Sequence, residues 1–295
     1  MLKRVIQIAS MPFPFSSKML HMKRTFNKYM FDLLLRFNDL KVTAQVKVIN
    51  SNVWNNLVVL DACRYDVFEQ MVHEFLDGKL FITLSPGSNT IQWLKRTWYG
   101  HYPDIIYFSS NPHVNSRICV KGFCAKDKFK KVIDVWNLGW DETIGTVPPQ
   151  NVNKIVKRAL TAYRLRRILG YKLKHFRVVI HYMQPHFPYI TIQKNINSMI
   201  TEVSEIYNVS KETVFLMLLK ALLNDEHKVI RVLRRLYAEN LRMALAYVAD
   251  LISYLDGTTI ITSDHGELFG EYGMYFHQTN APLPLLRAVP LFIVK

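Results

Sequence analysis

Two short segments constrain this chain more than anything else in it. Asn56-Leu57-Val58-Val59-Leu60-Asp61-Ala62-Cys63-Arg64-Tyr65-Asp66 lies near one end, and Thr262-Ser263-Asp264-His265-Gly266-Glu267, followed by His277, lies near the other. Each opens as an apolar run and closes on residues that bind metal. Leu57 to Leu60 and Thr258 to Thr262 read as interior strands of a parallel sheet, because both faces of such a strand are buried. Open α/β sheets place their ligands beyond the carboxyl ends of the strands. Asp61, Asp264 and His265 occupy those ends, so carboxylates and an imidazole gather where a divalent cation would be held.

The pattern continues between these segments. Strands are predicted at Asp104 to Phe108, Lys131 to Trp136, Phe176 to Tyr182 and Pro290 to Val294. Helices are predicted at Val67 to Leu76, Asn89 to Tyr99, Asn151 to Leu169 and Glu226 to Leu255, with Gly257 closing the last. Strand–helix alternation implies an α/β fold, a mostly parallel central sheet flanked by helices on both faces. Residues 1–50 read as a basic N-terminal extension. Residues 51–295 read as the catalytic domain, with a helical insertion near 195–225.

Leu60-Asp61-Ala62-Cys63-Arg64-Tyr65-Asp66 is similar to the first metal motif of sulfatase-like enzymes. The run from Ser263 to Gly273, Ser-Asp-His-Gly-Glu-Leu-Phe-Gly-Glu-Tyr-Gly, with His277 beyond it, is close to the second. The chain thus resembles the alkaline phosphatase superfamily, in its sulfatase and phosphoethanolamine-transferase branches, over roughly residues 55 to 295. The Cys-x-Pro-x-Arg signature of true sulfatases is missing, which argues against hydrolysis of sulfate esters by a formylglycine.

The resemblance assigns roles. Asp61, Asp264 and His265 are the expected ligands of one cation, and His277, twelve residues after His265, belongs to a second. The nucleophile should lie in Ser85-Pro86-Gly87-Ser88-Asn89-Thr90. Thr90 resembles the threonine of the transferase branch and would also touch the metal. Ser88 is its rival, and Ser88 or Asn89 could instead cap the helix. Metal contact and a helix N-terminus both favour an alkoxide. His186, in His181-x-x-x-x-His186-x-Pro188, maps onto a second-site or substrate-binding histidine. His181, inside its strand, reads as a core histidine. Arg64 either pairs with Asp66 or contacts a substrate oxyanion, and Asp66 suits the cap of the following helix. Glu267 and Glu271 are expected either to orient the histidines or to be solvated loop acids. Gly266, Gly270 and Gly273 would let the loop fold back over the site.

The implied activity is metal-dependent hydrolysis or transfer of phosphate esters through a covalent phosphothreonine. The alternatives are a sulfatase of the same fold and a non-catalytic polyanion-binding protein. Mixed Asp/His ligation suits Zn²⁺ or Mn²⁺ ahead of Ca²⁺ or Mg²⁺. The expected partner is a phosphorylated or sulfated small molecule or headgroup.

The net charge of +15 favours polyanions, an anionic membrane surface among them, although a general Lys/Arg bias would give the same number. Nucleic acid is the disfavoured partner, and oligomeric state is left open. Phe26 to Leu40 could form an amphipathic helix, packed on the domain or lying on a membrane. No apolar run reaches membrane-spanning length; the longest, Met243 to Leu255, is broken by Asp250. Three cysteines, Cys63, Cys119 and Cys124, do not suggest a disulfide framework; Cys119 and Cys124 could pair across a short loop or bind metal, but reduced thiols and a cytoplasmic, at most membrane-peripheral, protein are the expectation.

Overall fold

The computed structural model describes residues 45–51, 53–171, 175–192, 194–281 and 283–295. The helix expected over 26–40 lies outside these residues. Helix α1 (Gln45–Ile49) leads into strand β1 (Asn56–Asp61), helix α2 (Tyr65–Met71), strand β2 (Gly78–Leu84) and helix α3 (Thr90–Thr97). Strands β3 (Tyr102–Ser109) and β4 (Phe129–Asp134) precede short helix α4 (Val135–Leu138), long helix α5 (Pro149–Ile168) and strand β5 (Arg177–Pro185). Helices α6 (Lys194–Tyr207), α7 (Lys211–Leu223) and α8 (Glu226–Ile252) follow. The chain closes with β6 (Thr259–Ser263), β7 (Leu268–Phe269), β8 (Tyr275–Phe276), α9 (Pro284–Arg287) and β9 (Ala288–Val294).

Seven strands form one sheet in the order β2-β9-β6-β1-β5-β3-β4. The run from β6 to β4 is parallel, and β9 runs against both of its neighbours. Strand β1 sits at the centre and every residue in it is buried. Its side chains alternate between the two faces, as the period of two requires. Val58 and Leu60 meet α2, α5 and α8, while Leu57 and Val59 meet α1 and α3. Helices therefore cover both faces, and the expected architecture holds.

The 195–225 region is a pair of helices. Ile200 of α6 and Val214, Phe215 and Leu219 of α7 pack against Phe187, Tyr189 and the first half of α8. Ser210 caps α7 by accepting from the Thr213 amide. Packing on the domain begins by Gln45, whose amide nitrogen donates to Thr262 Oγ1 at 2.7 Å and to the Ser263 carbonyl at 2.6 Å.

Three local expectations change. Helix α2 starts at Tyr65, ahead of Asp66, so Asp66 lies in the first turn rather than at the cap. Strand β2 is an antiparallel edge strand that the sequence reading passed over. Cys119 and Cys124 are not reduced thiols but a disulfide. A two-residue turn brings them together: Lys121 (φ 46°) and Gly122 (φ 77°) both take the left-handed region, as a type I′ hairpin turn requires. Val120 and Phe123 pair across that turn and leave the two Cα atoms 4.2 Å apart. Paired sulfurs are unavailable as thiolate ligands, and the ground for a cytoplasmic address falls with the reduced thiols. Among the described residues, no helix is long and apolar enough to cross a membrane.

Candidate metal centre

The carboxyl ends of β1 and β6 lie side by side, and a web of buried hydrogen bonds ties them. The Ala62 amide donates to Asp264 Oδ1 at 3.0 Å, and the Cys63 amide donates to Ser263 Oγ at 2.7 Å. Ala62 takes the left-handed conformation (φ 58°), unusual for a side-chain-bearing residue. Tyr237 holds it there, donating to the Ala62 carbonyl at 2.7 Å and accepting from the Arg64 amide at 2.8 Å. Such strain is kept where the surroundings over-determine it, commonly at functional sites. Gly266 is required for a different reason: a Cβ there would come within 1.9 Å of the Leu285 carbonyl oxygen.

Four polar atoms converge on this edge. His265 Nε2 lies 3.5 Å from Asp61 Oδ1, 3.3 Å from Asp264 Oδ2 and 3.4 Å from Thr90 Oγ1. All four residues are buried. A tetrahedron whose centre lies about 2.0–2.1 Å from its corners has edges of about 3.3–3.4 Å, so this spacing suits ligands around one small cation. His265 Nδ1 faces the Gly266 carbonyl at 2.8 Å, which places the proton on Nδ1 and a lone pair on Nε2.

Electrostatics make the same case. Asp61 Oδ1 and Asp264 Oδ2 are buried without a hydrogen-bond partner. Burial, then the neighbouring Asp264 carboxylate, pushes the Asp61 pKa well above its ordinary value. Burial, then His277, pulls His265 well below its own, so its imidazole is neutral. Two adjacent carboxylates and a neutral imidazole in a dry site form a donor set that fits a divalent cation.

Thr90 stands at the first position of α3, whose cap is Asn89 accepting from the Gln92 amide. Ser88 is turned away: its hydroxyl donates to the Gln278 carbonyl at 2.7 Å and approaches Gln92 Oε1 at 3.1 Å. Of the two rivals, Thr90 is therefore the one brought to the cluster.

The loop after His265 folds back as expected, because β7 pairs with β8. That return brings His277 to Glu267, with Nδ1 3.2 Å from Oε1. The His277 ring lies tilted beside His265 at 4.4 Å and beside His186 at 5.0 Å between centroids. His186 Nδ1 contacts the Phe187 carbonyl. His186, Glu267 and His277 form a second group with metal-ligand spacing. Burial opposes a charge on His277, but the Glu267 carboxylate outweighs it and raises the pKa.

Of the two roles expected for Arg64, the structure shows the pairing with Asp66 and not the substrate contact: Nε and Nη2 hold Asp66 at 2.8 and 2.6 Å, and Nη1 holds Glu271 at 2.7 Å. The guanidinium is buried, and its Nη1 also donates to the Glu267 carbonyl at 3.2 Å. Glu271 orients no histidine and is no solvated acid; it also accepts from Arg234 at 2.7 Å.

Two residues were missed. His181 is buried and contacts Tyr107 OH at 3.0 Å through Nδ1, but its Nε2 lies 3.8 Å from Asp61 Oδ2 and is otherwise unpartnered. Its spacing to His186 was the available signal. Burial lowers its pKa to about 4. Asn111 donates to Asp61 Oδ2 at 2.7 Å; only its place just past β3 could have pointed to it.

No protein-family profile matches this chain, and no curated protein matches it. Solved structures do. The zinc complex of the C-terminal periplasmic domain of EcEptC from Escherichia coli aligns with a TM-score of 0.51 at 12% identity, covering 86% of this chain and 75% of that one. The two share a fold, a mostly parallel sheet with helices on both faces. Lipooligosaccharide phosphoethanolamine transferase A from Neisseria meningitidis, an integral membrane protein, aligns at 0.48 with 15% identity over 81% of this chain. The chain covers 47% of that protein's length. Lipoteichoic acid synthase LtaP from Listeria monocytogenes aligns at 0.46 with 10% identity, covering 84% of this chain and 70% of that one. Within this fold, Asp61, Thr90, Asp264 and His265 lie together at the edge where parallel strands end.

Proposed function

We propose that this protein is a metal-dependent enzyme that transfers or hydrolyses phosphate esters, with Thr90 as nucleophile. The observation that carries the reading is the convergence of Asp61 Oδ1, Asp264 Oδ2 and Thr90 Oγ1 on His265 Nε2 at 3.3–3.5 Å. One imidazole, two carboxylates and a hydroxyl suit zinc best, with manganese next. The similar E. coli domain is a zinc complex. When bound, the cation lowers the pKa of the hydroxyl it touches and offsets the charge of the phosphoryl group.

The chain's own residues supply the rest. Asn89 fixes the first turn of α3, so Thr90 points from a helix N-terminus into a buried site, where an anion is favoured. Thr90 Oγ1 bonds to phosphorus as the ester oxygen leaves. A second acceptor, water or an alcohol, then takes the phosphoryl group from Thr90. His186 and His277 line the far side. Their Nδ1 atoms are committed to Phe187 and Glu267, which leaves both Nε2 atoms free for a second cation. The substrate in this reading is a small phosphorylated molecule or headgroup. The Cys119–Cys124 disulfide favours an oxidising compartment as its place of work.

A metal-rescue assay tests the reading. The full chain is stripped with chelator, given Zn²⁺, Mn²⁺, Mg²⁺ or Ca²⁺ singly, and followed on nitrophenyl phosphate monoester, phosphate diester and sulfate. Phosphate-ester turnover should return with zinc or manganese and vanish in Thr90→Ala. A phosphoryl adduct should be found by mass spectrometry on the peptide that carries Thr90. Unchanged turnover in Thr90→Ala, or turnover of sulfate alone, overturns it.

A further inference from the structure

Helix α5 ends at the edge of the sheet opposite the metal ligands. It starts beside Val147, whose carbonyl accepts from Gln184 near the site, and runs for 20 residues, about 30 Å. Its last turn and the following loop expose large apolar side chains. Ile168 is 80% exposed, Leu169 66%, Tyr171 63% and Leu165 54%. Arg166 and Arg167 stand among them. Beside this crest runs a groove of about 370 Å³ between α5 and strands β3 and β4, the latter at the sheet edge. Ile106, Ile133 and Phe176 form its floor, and Lys130, Lys131 and Arg166 its rim. Among the described residues no carboxylate lines it. The surrounding sequence holds no acid anywhere between Glu142 and Glu202.

Lysines on an edge strand commonly serve only to block strand pairing. That purpose does not call for four large apolar side chains beside them. Apolar residues projecting from a cationic rim are what a helix end presents to the interface of an anionic bilayer, where the rings and aliphatic chains enter and the cations meet the headgroups. Charge complementarity also disfavours the other occupant at hand. Residues 1–44 carry Lys3, Arg4, Lys18, Lys23, Arg24 and Lys28 ahead of their first acid, so the rim repels them. We propose that the α5 tip and its groove dock on the surface of an anionic lipid bilayer. The metal ligands, one helix length away, remain in solution.

Co-sedimentation of the full chain with vesicles tests this. Phosphatidylcholine alone is compared with phosphatidylcholine mixed with phosphatidylglycerol. Binding is expected on the mixed vesicles and to weaken with salt. The double variant I168E/L169E should bind at least tenfold less. In K130Q/K131Q the preference for the anionic vesicles should fall roughly fivefold for each cation removed. All four residues are exposed, and an unchanged melting temperature and nitrophenyl ester turnover show that each variant is folded. Equal binding to both vesicle types overturns the proposal, as does wild-type binding by I168E/L169E. Loss of binding in K23E/R24E alone would place the anchor in residues 1–44 instead. Lipid-free dimers of the wild type that I168E/L169E abolishes, without vesicle binding, would mean that a second copy covers the crest.

Discussion

Asn111 donates its side-chain amide to Oδ2 of Asp61 at 2.7 Å and so leaves Oδ1 to face His265. The two residues come from neighbouring parts of the sheet edge, 50 positions apart in the chain. A carboxylate with one oxygen tied is presented to a cation with a single orientation. Asn111→Ala should therefore loosen metal binding by roughly 10–100-fold, the usual effect of losing a partner that orients a ligand. Competition with a chromophoric chelator measures it. An unchanged affinity would show that Asp61 needs no such help.

Glu267 has one oxygen on His277 and the other without a partner. Its charge is what raises the His277 pKa against the pull of burial. Glu267→Gln removes that charge, so the His277 pKa falls. If His277 must lose its proton to hold a cation, the acid limb of turnover should move to lower pH while the maximum rate drops. A pH–rate profile of the zinc-loaded variant decides this. An acid limb that stays in place would mean that His277 does not govern it.

Arg64 joins β1 to the loop that carries Glu267 and Glu271. It is 1% exposed and holds two carboxylates. Arg64→Met would leave Asp66 and Glu271 in a dry environment with less compensation. Breaking a buried pair by removing one partner costs about 3–5 kcal/mol. Urea unfolding at neutral pH should show a loss of that order. A loss under about 1 kcal/mol, the usual worth of an exposed pair, would mean that water reaches these carboxylates.

The same pair sets a pH dependence. Burial raises the Asp66 pKa, but the Arg64 guanidinium outweighs it and leaves the group below its ordinary value. A carboxylate with a depressed folded-state pKa adds stability above its unfolded value, near 3.9, and loses it as pH falls through the folded value. Urea midpoints of the wild type should therefore fall on acidification below about pH 4. In Asp66→Asn that part of the fall should be missing. Parallel curves for the two proteins would refute the assignment.

Much of this was legible in the sequence because the signals were local. The apolar runs ending in Asp61 and Asp264 are strands buried on both faces, and burial on both faces leaves an unbroken hydrophobic record. Asn89 and Thr90 were readable because a helix start has its own chemistry. What escaped depends on distant neighbours. His181 looks like any histidine in a strand until β1 is placed beside β5, and Arg64 could face a substrate or a carboxylate until the β7–β8 return brings Glu271 to it. Strand β2 escaped for another reason. It is a half-exposed edge, and its register comes from β9, more than 200 residues later. Pairing of Cys119 with Cys124 was one of the readings open in the sequence but not the favoured one, because five residues of spacing do not disclose a type I′ turn.

The Ala62 amide reaches Asp264 across 202 residues of chain. Asp61 is made well before β6, and its carboxyl must wait for that strand before it is enclosed. A nascent or truncated chain can form β1, α2 and α3 and still have no closed site for a cation. Long-range closure of this kind comes late in folding, because its loop entropy must be met first. On the proposed reading, retained metal would then mark chains in which β6 has docked, and a chain cut short before β6 would be inert.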